Sequence, residues 1–228
     1  MNRYYFEEAI VLKNQRIRDS DLLLTIYGRS KGKYNVIAPG ALKFKNRLRG
    51  KIELFSWGKG YFIKRKSLDW LINWEIKDIF WNIRTSFEKL NSALSIISIV
   101  ERNTPWENPD ENLFNIVINI LKLIKENNSE FFKEIFFIKY IQSQGLIDKF
   151  STSCDKCGKV FKNEIVRINI IENKVYCKNC SFSGITISLE TLQNLNRILD
   201  LPLEESINLN LSKIEFENLI REYEKTIE

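Results

Sequence analysis

The sequence has no histidine, and only four cysteines, four prolines, nine glycines and one methionine in 228 residues. The missing imidazole removes the commonest general base, the Ser-His and Cys-His nucleophile pairs and every mixed Cys/His zinc site. No G-x-x-x-x-G-K-[ST] or G-x-G-x-x-G loop occurs, so the usual glycine-rich phosphate cradles are absent. The longest apolar runs, such as Leu94-Ser-Ile-Ile-Ser-Ile-Val100, fall far short of the roughly 18 residues that cross a bilayer. The first residues, Met1-Asn-Arg-Tyr-Tyr-Phe-Glu-Glu8, carry acids where an export signal would place its apolar region. A cytoplasmic protein with no membrane partner is therefore expected. The carboxylate pairs Glu7/Glu8 and Asp19/Asp21 are expected to be solvated surface, and an enzyme is not expected.

The four cysteines are arranged as two short pairs. Cys154-Asp-Lys-Cys157 and Cys177-Lys-Asn-Cys180 bracket residues 158–176, giving C-x2-C-x19-C-x2-C. Each C-x-x-C turn can aim two thiolates at one ion, and the intervening segment is long enough for a β-ribbon that brings the turns together. This spacing points to one structural, tetrahedral Zn2+ held by Cys154, Cys157, Cys177 and Cys180. Four protein ligands leave no open position for catalysis. Disulfides would need an oxidising compartment.

Positive charge is unevenly distributed. The net charge is +6, yet residues 1–80 carry 17 Lys and Arg against 8 Asp and Glu, a net of +9, whereas residues 81–228 carry 18 against 21. Arg29, Lys31, Lys33, Lys43, Lys45, Arg47, Arg49 and Lys51 follow one another without an intervening acid, and Lys64-Arg65-Lys66 forms a second cluster. Tyr34, Phe44, Phe55, Trp57, Tyr61 and Phe62 are interleaved with them. Cations neutralise phosphates while exposed rings stack on unpaired bases, so this mixture suits nucleic acid. The candidate contacts are those eleven basic residues with Tyr34 and Trp57, although alternating spacing also places rings in a core.

Two regimes of periodicity divide the chain. Short β-rich runs, Ala9–Leu12, Leu22–Tyr27, Tyr34–Ala38, Ile52–Phe55, Gly60–Lys64 and Trp70–Trp74, are broken at residues 29–33, Pro39-Gly40 and Gly58-Lys-Gly60. They predict a small closed barrel of the OB type over residues 1–80. From Thr85 the period is helical: Phe87, Leu90, Leu94, Ile97, Val100, then Leu113 to Ile124, then Phe131 to Tyr140, with Gly145 as a stop. Beyond the cysteines, Leu189 to Leu199 form another helical face, and Ser212-Lys-Ile-Glu215 is a capping-box sequence opening a last helix striped by Ile214, Leu219, Ile220 and Tyr223. The expected class is α+β and multidomain: barrel 1–80, helices 81–149, zinc module 150–187, helices 188–228.

Ala9-Ile-Val-Leu12, Arg18-Asp-Ser-Asp-Leu-Leu-Leu24, Gly32 in a basic turn, Ala38-Pro-Gly-Ala41, Leu48 to Phe55, and Phe137 to Leu146 resemble the successive motifs of the bacterial recombination mediator family RecO. The order of barrel, helices and four-cysteine module along the whole chain resembles it too. Pro39 and Gly28 depart from the family pattern, as does the stretch from Leu192 to Leu211. The resemblance implies a nucleoid-associated, non-enzymatic protein that binds single- and double-stranded DNA. It also implies annealing of complementary strands coated with single-strand-binding protein (SSB), recognition of the SSB C-terminal tail, and loading of RecA together with RecR and often RecF. Two other readings of the residues stand beside it: an RNA-binding factor with an OB-fold and zinc ribbon, and an enzyme acting on nucleic acid through Asp19, Asp21 and a divalent ion.

Overall fold

The computed structural model describes residues 3–181 and 183–227, which form two compact units, 1–127 and 128–228. The first opens with five strands, β1 (Tyr4–Arg16), β2 (Leu22–Gly28), β3 (Gly32–Ala38), β4 (Trp57–Ile63) and β5 (Asp69–Asp78). Their pairing order is β1-β2-β3-β5-β4, with β4 returning to β1. This is the partly open five-stranded barrel of the OB-fold. Four seams are antiparallel; the fifth, between β3 and β5, is parallel and only two pairs long, Val36 opposite Asp69 and Ile37 opposite Trp70.

Period-two alternation fills the barrel. Ala9, Val11, Leu24, Ile26, Val36, Ala38, Phe62, Leu71 and Trp74 point inward and are buried. The outer face of β1 is covered as well, because α1 (Phe87–Asn103) packs on it, so Ile10 is buried beside inward-facing Ala9 and Val11. α2 (Glu111–Glu126) brings Phe114 onto Tyr27, with ring centroids 6.4 Å apart. Both helices start at capped turns: the Lys89 N–H donates to Ser86 Oγ at 3.4 Å, and the Leu113 N–H to Asp110 Oδ1 at 2.9 Å.

Ile52-Glu-Leu-Phe55 is not a strand. Residues 39–56 form successive turns, in which the N–H groups of Lys43, Asn46, Arg49 and Lys51 donate to the carbonyls of Gly40, Lys43, Asn46 and Leu48 at 2.9, 3.0, 3.2 and 3.0 Å. Ala41, Leu48 and Ile52 drop from these turns into the barrel core. Phe55 has φ 69°, and its N–H donates to the Val11 carbonyl at 3.0 Å. Burial at intervals therefore mimics a strand where the backbone is irregular.

The second unit contains α3 (Phe132–Ser143), β6 (Ile165–Asn169), β7 (Lys174–Cys177), β8 (Ile185–Ser188), α4 (Leu189–Asp200), α5 (Leu203–Ser206) and α6 (Lys213–Ile227). Gly145, at φ 70°, ends α3: the Gly145 and Leu146 N–H groups donate to Gln142 and Ile141 carbonyls at 3.0 and 2.9 Å. Two expectations change. Glu215 does not turn back onto its own helix; its carboxylate accepts from Ser188 N–H at 3.1 Å, from Ser188 Oγ at 2.8 Å and from the Thr191 hydroxyl, locking the start of α4. The apolar stripes are also rotated. Phe87, Leu94 and Ile214 are exposed, while the buried stripe of α6 runs through Phe216, Leu219, Ile220 and Tyr223 at i, i+3, i+4, i+7. Among the described residues, no helix is long and apolar enough to cross a membrane.

Two rings from the basic half separate core from surface. Replacing the fully buried Phe62 by Ala is expected to lower stability in urea unfolding by about 3–5 kcal/mol. Phe44, 85% exposed, should tolerate the same change within about 0.5 kcal/mol. Equal losses would show that the two rings had been assigned to the wrong places.

Candidate nucleic-acid interface and metal centre

The β2–β3 turn is gripped from β1. Glu7 is buried, and its carboxylate accepts from the Ser30 N–H at 2.7 Å and the Ser30 hydroxyl at 2.5 Å. It lies so close over Gly28 that a Cβ there would sit 2.8 Å from its oxygen. Glu8, on the opposite face of the strand, accepts from Arg29 Nε at 3.2 Å, Trp57 Nε1 at 2.9 Å and Lys77 Nζ at 2.6 Å. Burial raises the pKa of Glu8, but the hydrogen bonds from Lys77, Arg29 and Trp57 outweigh it and hold the carboxyl below its ordinary range. A depressed pKa means stability that is present at neutral pH and lost as the pH falls through the acid range. Glu7 and Glu8 are thus structural clasps rather than the solvated pair expected from their sequence.

That clasp occupies several candidate contacts. Arg29 also donates to Glu111 at 2.8 Å and Asn115 at 2.9 Å, and it lies 4.6 Å from the centroid of the Phe114 ring. Lys31 stands over Tyr5 at 3.6 Å and 3.9 Å from Asp69, its pKa lowered by burial. Lys33 is only 3% exposed and donates to the Glu101 carbonyl at 2.5 Å. Tyr34 belongs to the barrel core. Trp57 is half-buried, with Lys77 and Lys122 each 5.0 Å from its ring centroid.

The remaining cations are free to face solvent. Lys43, Lys45, Arg47 and Arg49 are exposed along the 39–56 segment, with Lys51 half-buried at its end. Lys64, Arg65 and Lys66 are exposed on the β4–β5 turn. The register brings the two groups together. Residue 42 donates its N–H to the Ser20 carbonyl at 3.0 Å, and Gly40 its N–H to Asp21 Oδ1 at 2.7 Å, fastening the segment to the β1–β2 turn. At its other edge, Lys45 and Arg47 line a shallow groove of about 300 Å³ with Leu71 and Ile72, the residues after Trp70. Arg65 in turn covers Trp70 at 3.9 Å. Asp21 is therefore committed to a backbone turn.

Two exposed rings stand in this surface that the candidate set lacks. Phe44 is flanked by Lys43 and Lys45 and lies 5.3 Å beneath the Arg49 guanidinium, and Trp70 is 37% exposed. The alternating Lys-Phe-Lys of residues 43–45 was the available signal for the first. Nothing in the β5 sequence distinguishes outward Trp70 from inward Trp74 without the strand register.

The four cysteines converge in the second unit. β6 pairs with β7 and β8 in a three-stranded sheet, which carries Cys177 at the end of β7 beside the Cys154–Cys157 turn. The first turn closes through the Gly158 N–H to the Cys154 carbonyl at 2.8 Å, with Gly158 at φ 71°; the second through the Cys180 N–H to the Cys177 carbonyl at 3.0 Å. The Asp155 N–H donates to the Val175 carbonyl at 2.9 Å and the Val175 N–H returns to Asp155 Oδ2 at 2.6 Å, joining turn to hairpin. All four Sγ atoms lie within 4.8 Å of one another, and Cys157 and Cys177 are 3.8 Å apart. Metal–sulfur bonds of about 2.3 Å in a tetrahedron give edges of about 3.8 Å, so the set fits a metal ion. All four cysteines are free rather than paired in disulfides. Burial opposes ionisation of Cys154, but peptide N–H groups of Cys177, Cys157 and Lys156 hold its thiol down to about 6. Hydrogen bonds with Cys177 and Cys157 push Cys180 up to about 12. Crowded thiols that cannot all ionise together are what a divalent cation relieves.

Comparison with known proteins agrees with this arrangement. The profile "Recombination protein O N terminal" matches residues 1–80 and "Recombination protein O C terminal" matches residues 84–223. Proteins named DNA repair protein RecO are similar over most of the chain. That of Alkaliphilus metalliredigens is 30% identical over 218 residues, covering 93% of this chain and 87% of its own. That of Desulforamulus reducens is 28% identical over 223 residues, with 93% and 87% covered. That of Clostridium acetobutylicum is 27% identical over 210 residues, with 90% and 83% covered. An OB-type barrel, a helical body, a four-cysteine centre and two matching profiles in the same order lead to one conclusion: the chain belongs to the recombination protein O family.

Proposed function

We propose that this chain is a non-enzymatic DNA-binding mediator of recombination and repair, working in the cytoplasm on the nucleoid. The observation that carries the reading is the grouping of Lys43, Lys45, Arg47 and Arg49 with Arg65 and the exposed rings Phe44 and Trp70 on an OB barrel. Cations attract either a single strand or a duplex, and the rings add stacking available only to unpaired bases. Lys51, Lys64 and Lys66 extend the same surface, whereas Arg29, Lys31, Lys33, Tyr34 and Trp57 act by shaping the barrel. A surface that neutralises two polyanions lowers their repulsion, which is the physical requirement for annealing complementary strands.

Family membership supports partners of the same kind: RecR, the acidic SSB tail, and RecA and RecF reached through them. A groove of about 690 Å³ in the second unit is lined by Ile170, Ile171 and Ile185 together with Arg221, Glu222 and Lys225; Lys225 is paired with Glu222 at 2.5 Å, so Arg221 is the cation that would meet an acidic tail. Capture of RecR and of SSB by the tagged chain, with SSB lost when its last residues are removed or when Arg221→Glu is introduced, is the expected pattern. Tail-independent capture of SSB would move that contact elsewhere.

The metal is proposed to be one structural Zn2+ on Cys154, Cys157, Cys177 and Cys180, because four thiolates form a closed site. Cys177→Ser should abolish stoichiometric zinc in elemental analysis and loosen residues 150–187 in hydrogen exchange, since binding energy at such a site is folding energy. Zinc should also be lost as the pH is lowered, because the thiolates must stay deprotonated. Unchanged melting after exhaustive chelation would show that the cysteines are idle.

For DNA, contact with about five phosphates should give a slope of log K against log salt of about −3.5 to −4.5. Replacing Lys43, Lys45, Arg47 and Arg49 together by Glu should flatten that slope and weaken binding by roughly a hundredfold or more, with melting unchanged. Wild-type affinity in that variant would place the interface on another surface.

A further inference from the structure

A second recess of about 560 Å³ opens on the barrel, walled by Lys31 of the β2–β3 turn, Asn35 of β3, Asp69 after the β4–β5 turn, and Trp106 of the α1–α2 connection. The connection is held by its backbone. The Glu107 N–H donates to the Lys33 carbonyl at 2.8 Å, and Lys33 and Trp106 form an isolated parallel bridge. Gly32, at φ 69°, lets the chain pass so near that a Cβ would sit 2.3 Å from the Asn108 carbonyl oxygen. Glu107 is kept at φ 55°, a left-handed conformation that persists where the surrounding contacts over-determine it. Next to it stands Trp106, 53% exposed, with the Lys33 ammonium 4.7 Å from its ring centroid.

The chemistry of the recess differs from that of the basic surface. Lys31 is offset by Asp69 at 3.9 Å, and Glu107 adds negative charge, so a phosphate gains little there. A planar, uncharged ring with a hydrogen-bonding edge fits. Trp106 supplies a rigid platform. The Thr25 hydroxyl donates to Asn35 Oδ1 at 2.9 Å, so the NH2 of Asn35 is the group it has to offer. Lys64, Arg65 and Lys66 lead directly into Ser67 and Asp69 of the wall, placing cations for the backbone beside a slot with no net positive charge.

We infer that this recess receives one unstacked base of a single strand, with Trp106 stacking on it and Asn35 meeting its edge, while the flanking phosphates lie along the β4–β5 turn. The inference rests on the DNA-binding reading above and adds discrimination to it. A duplex base enters only after unpairing, so the slot favours single strands.

The test measures binding of a single strand, of the same strand with a run of abasic nucleotides, and of a duplex. Trp106→Ala should weaken the intact single strand by about 5- to 100-fold, the abasic strand and the duplex by less than about twofold, and leave the salt slope unchanged. Equal weakening of intact and abasic strands, or of single strand and duplex, overturns the proposal. Should the Ala variant fail to fold, Trp106→Phe is expected to keep most affinity and Asn35→Ala to lose it on the intact strand alone; Asn35→Ala binding all three probes like wild type overturns it equally. The Glu variant of Lys43, Lys45, Arg47 and Arg49 separates the two ideas. Its loss of every probe bears on the basic surface, while the difference between intact and abasic strands bears on the recess.

Discussion

Two consecutive carboxylates on β1 decide which positive charges the barrel can present. Glu7 and Glu8 point to opposite faces of one strand, yet both hold the β2–β3 turn, the first through Ser30 and the second through Arg29. A strand alternates its side chains, so adjacent residues can grip a turn from inside and outside at once. The turn then directs Lys33 out of the barrel onto the Glu101 carbonyl of α1 and fixes the α1–α2 connection against Gly32. Arg29, half-buried, and Lys33, buried, become cations with defined partners. The candidate cations left at the surface are those of the 39–56 segment and the β4–β5 turn. Partition of charge between structure and surface thus follows from one short stretch of β1.

Much of this was legible in the chain and some was not, for identifiable reasons. The barrel strands announced themselves because inward residues recur at every second position, as in Leu24, Ile26, Val36 and Ala38. Ile52 to Phe55 misled because a turn-rich segment that plugs a barrel also buries an apolar residue every few positions. Helix existence was clear, but Phe87, Leu94 and Ile214 show that apolar identity does not fix which face packs. Glu215 had the spacing of a local cap; a tertiary partner, Ser188, lies close enough to claim it. The same limit governs the basic run. Sequence counts eight cations without an acid between them, but acids distant in the chain, Glu8, Asp69 and Glu111, reach Arg29 and Lys31 in space.

The clustering of the four cysteines was legible for the opposite reason. A C-x-x-C pair is a local object whose geometry needs only one turn, and the chain between the pairs needs only to form a hairpin. Both conditions are met: Gly158 and Cys180 close the turns, and β6 pairs with β7 in register from Val166 opposite Cys177 to Asn169 opposite Lys174. Long-range contacts then join turn to hairpin, among them Asp155 with Val175 and Asp148 with Asn173. An ion here would act as a core for a segment with few large buried residues, stabilising what apolar packing alone supports weakly.

On the proposed reading, affinity and discrimination make different electrostatic demands, and the barrel would meet them in separate places. A surface that attracts any polyanion must be positive and wet, because the energy comes from released counterions and varies with salt. A slot that tells an unpaired base from a paired one must carry no net positive charge, since a strongly positive slot would be filled by phosphate instead. Lys31 beside Asp69 and Glu107 meets the second condition, and Lys43 to Arg49 meets the first. The β4–β5 turn joins them: Arg65 reaches Trp70, next to the residues that line the groove of Lys45 and Arg47, while Ser67 and Asp69 wall the recess. A strand crossing that turn would pass from charge to stacking within a few residues, so neither function compromises the other.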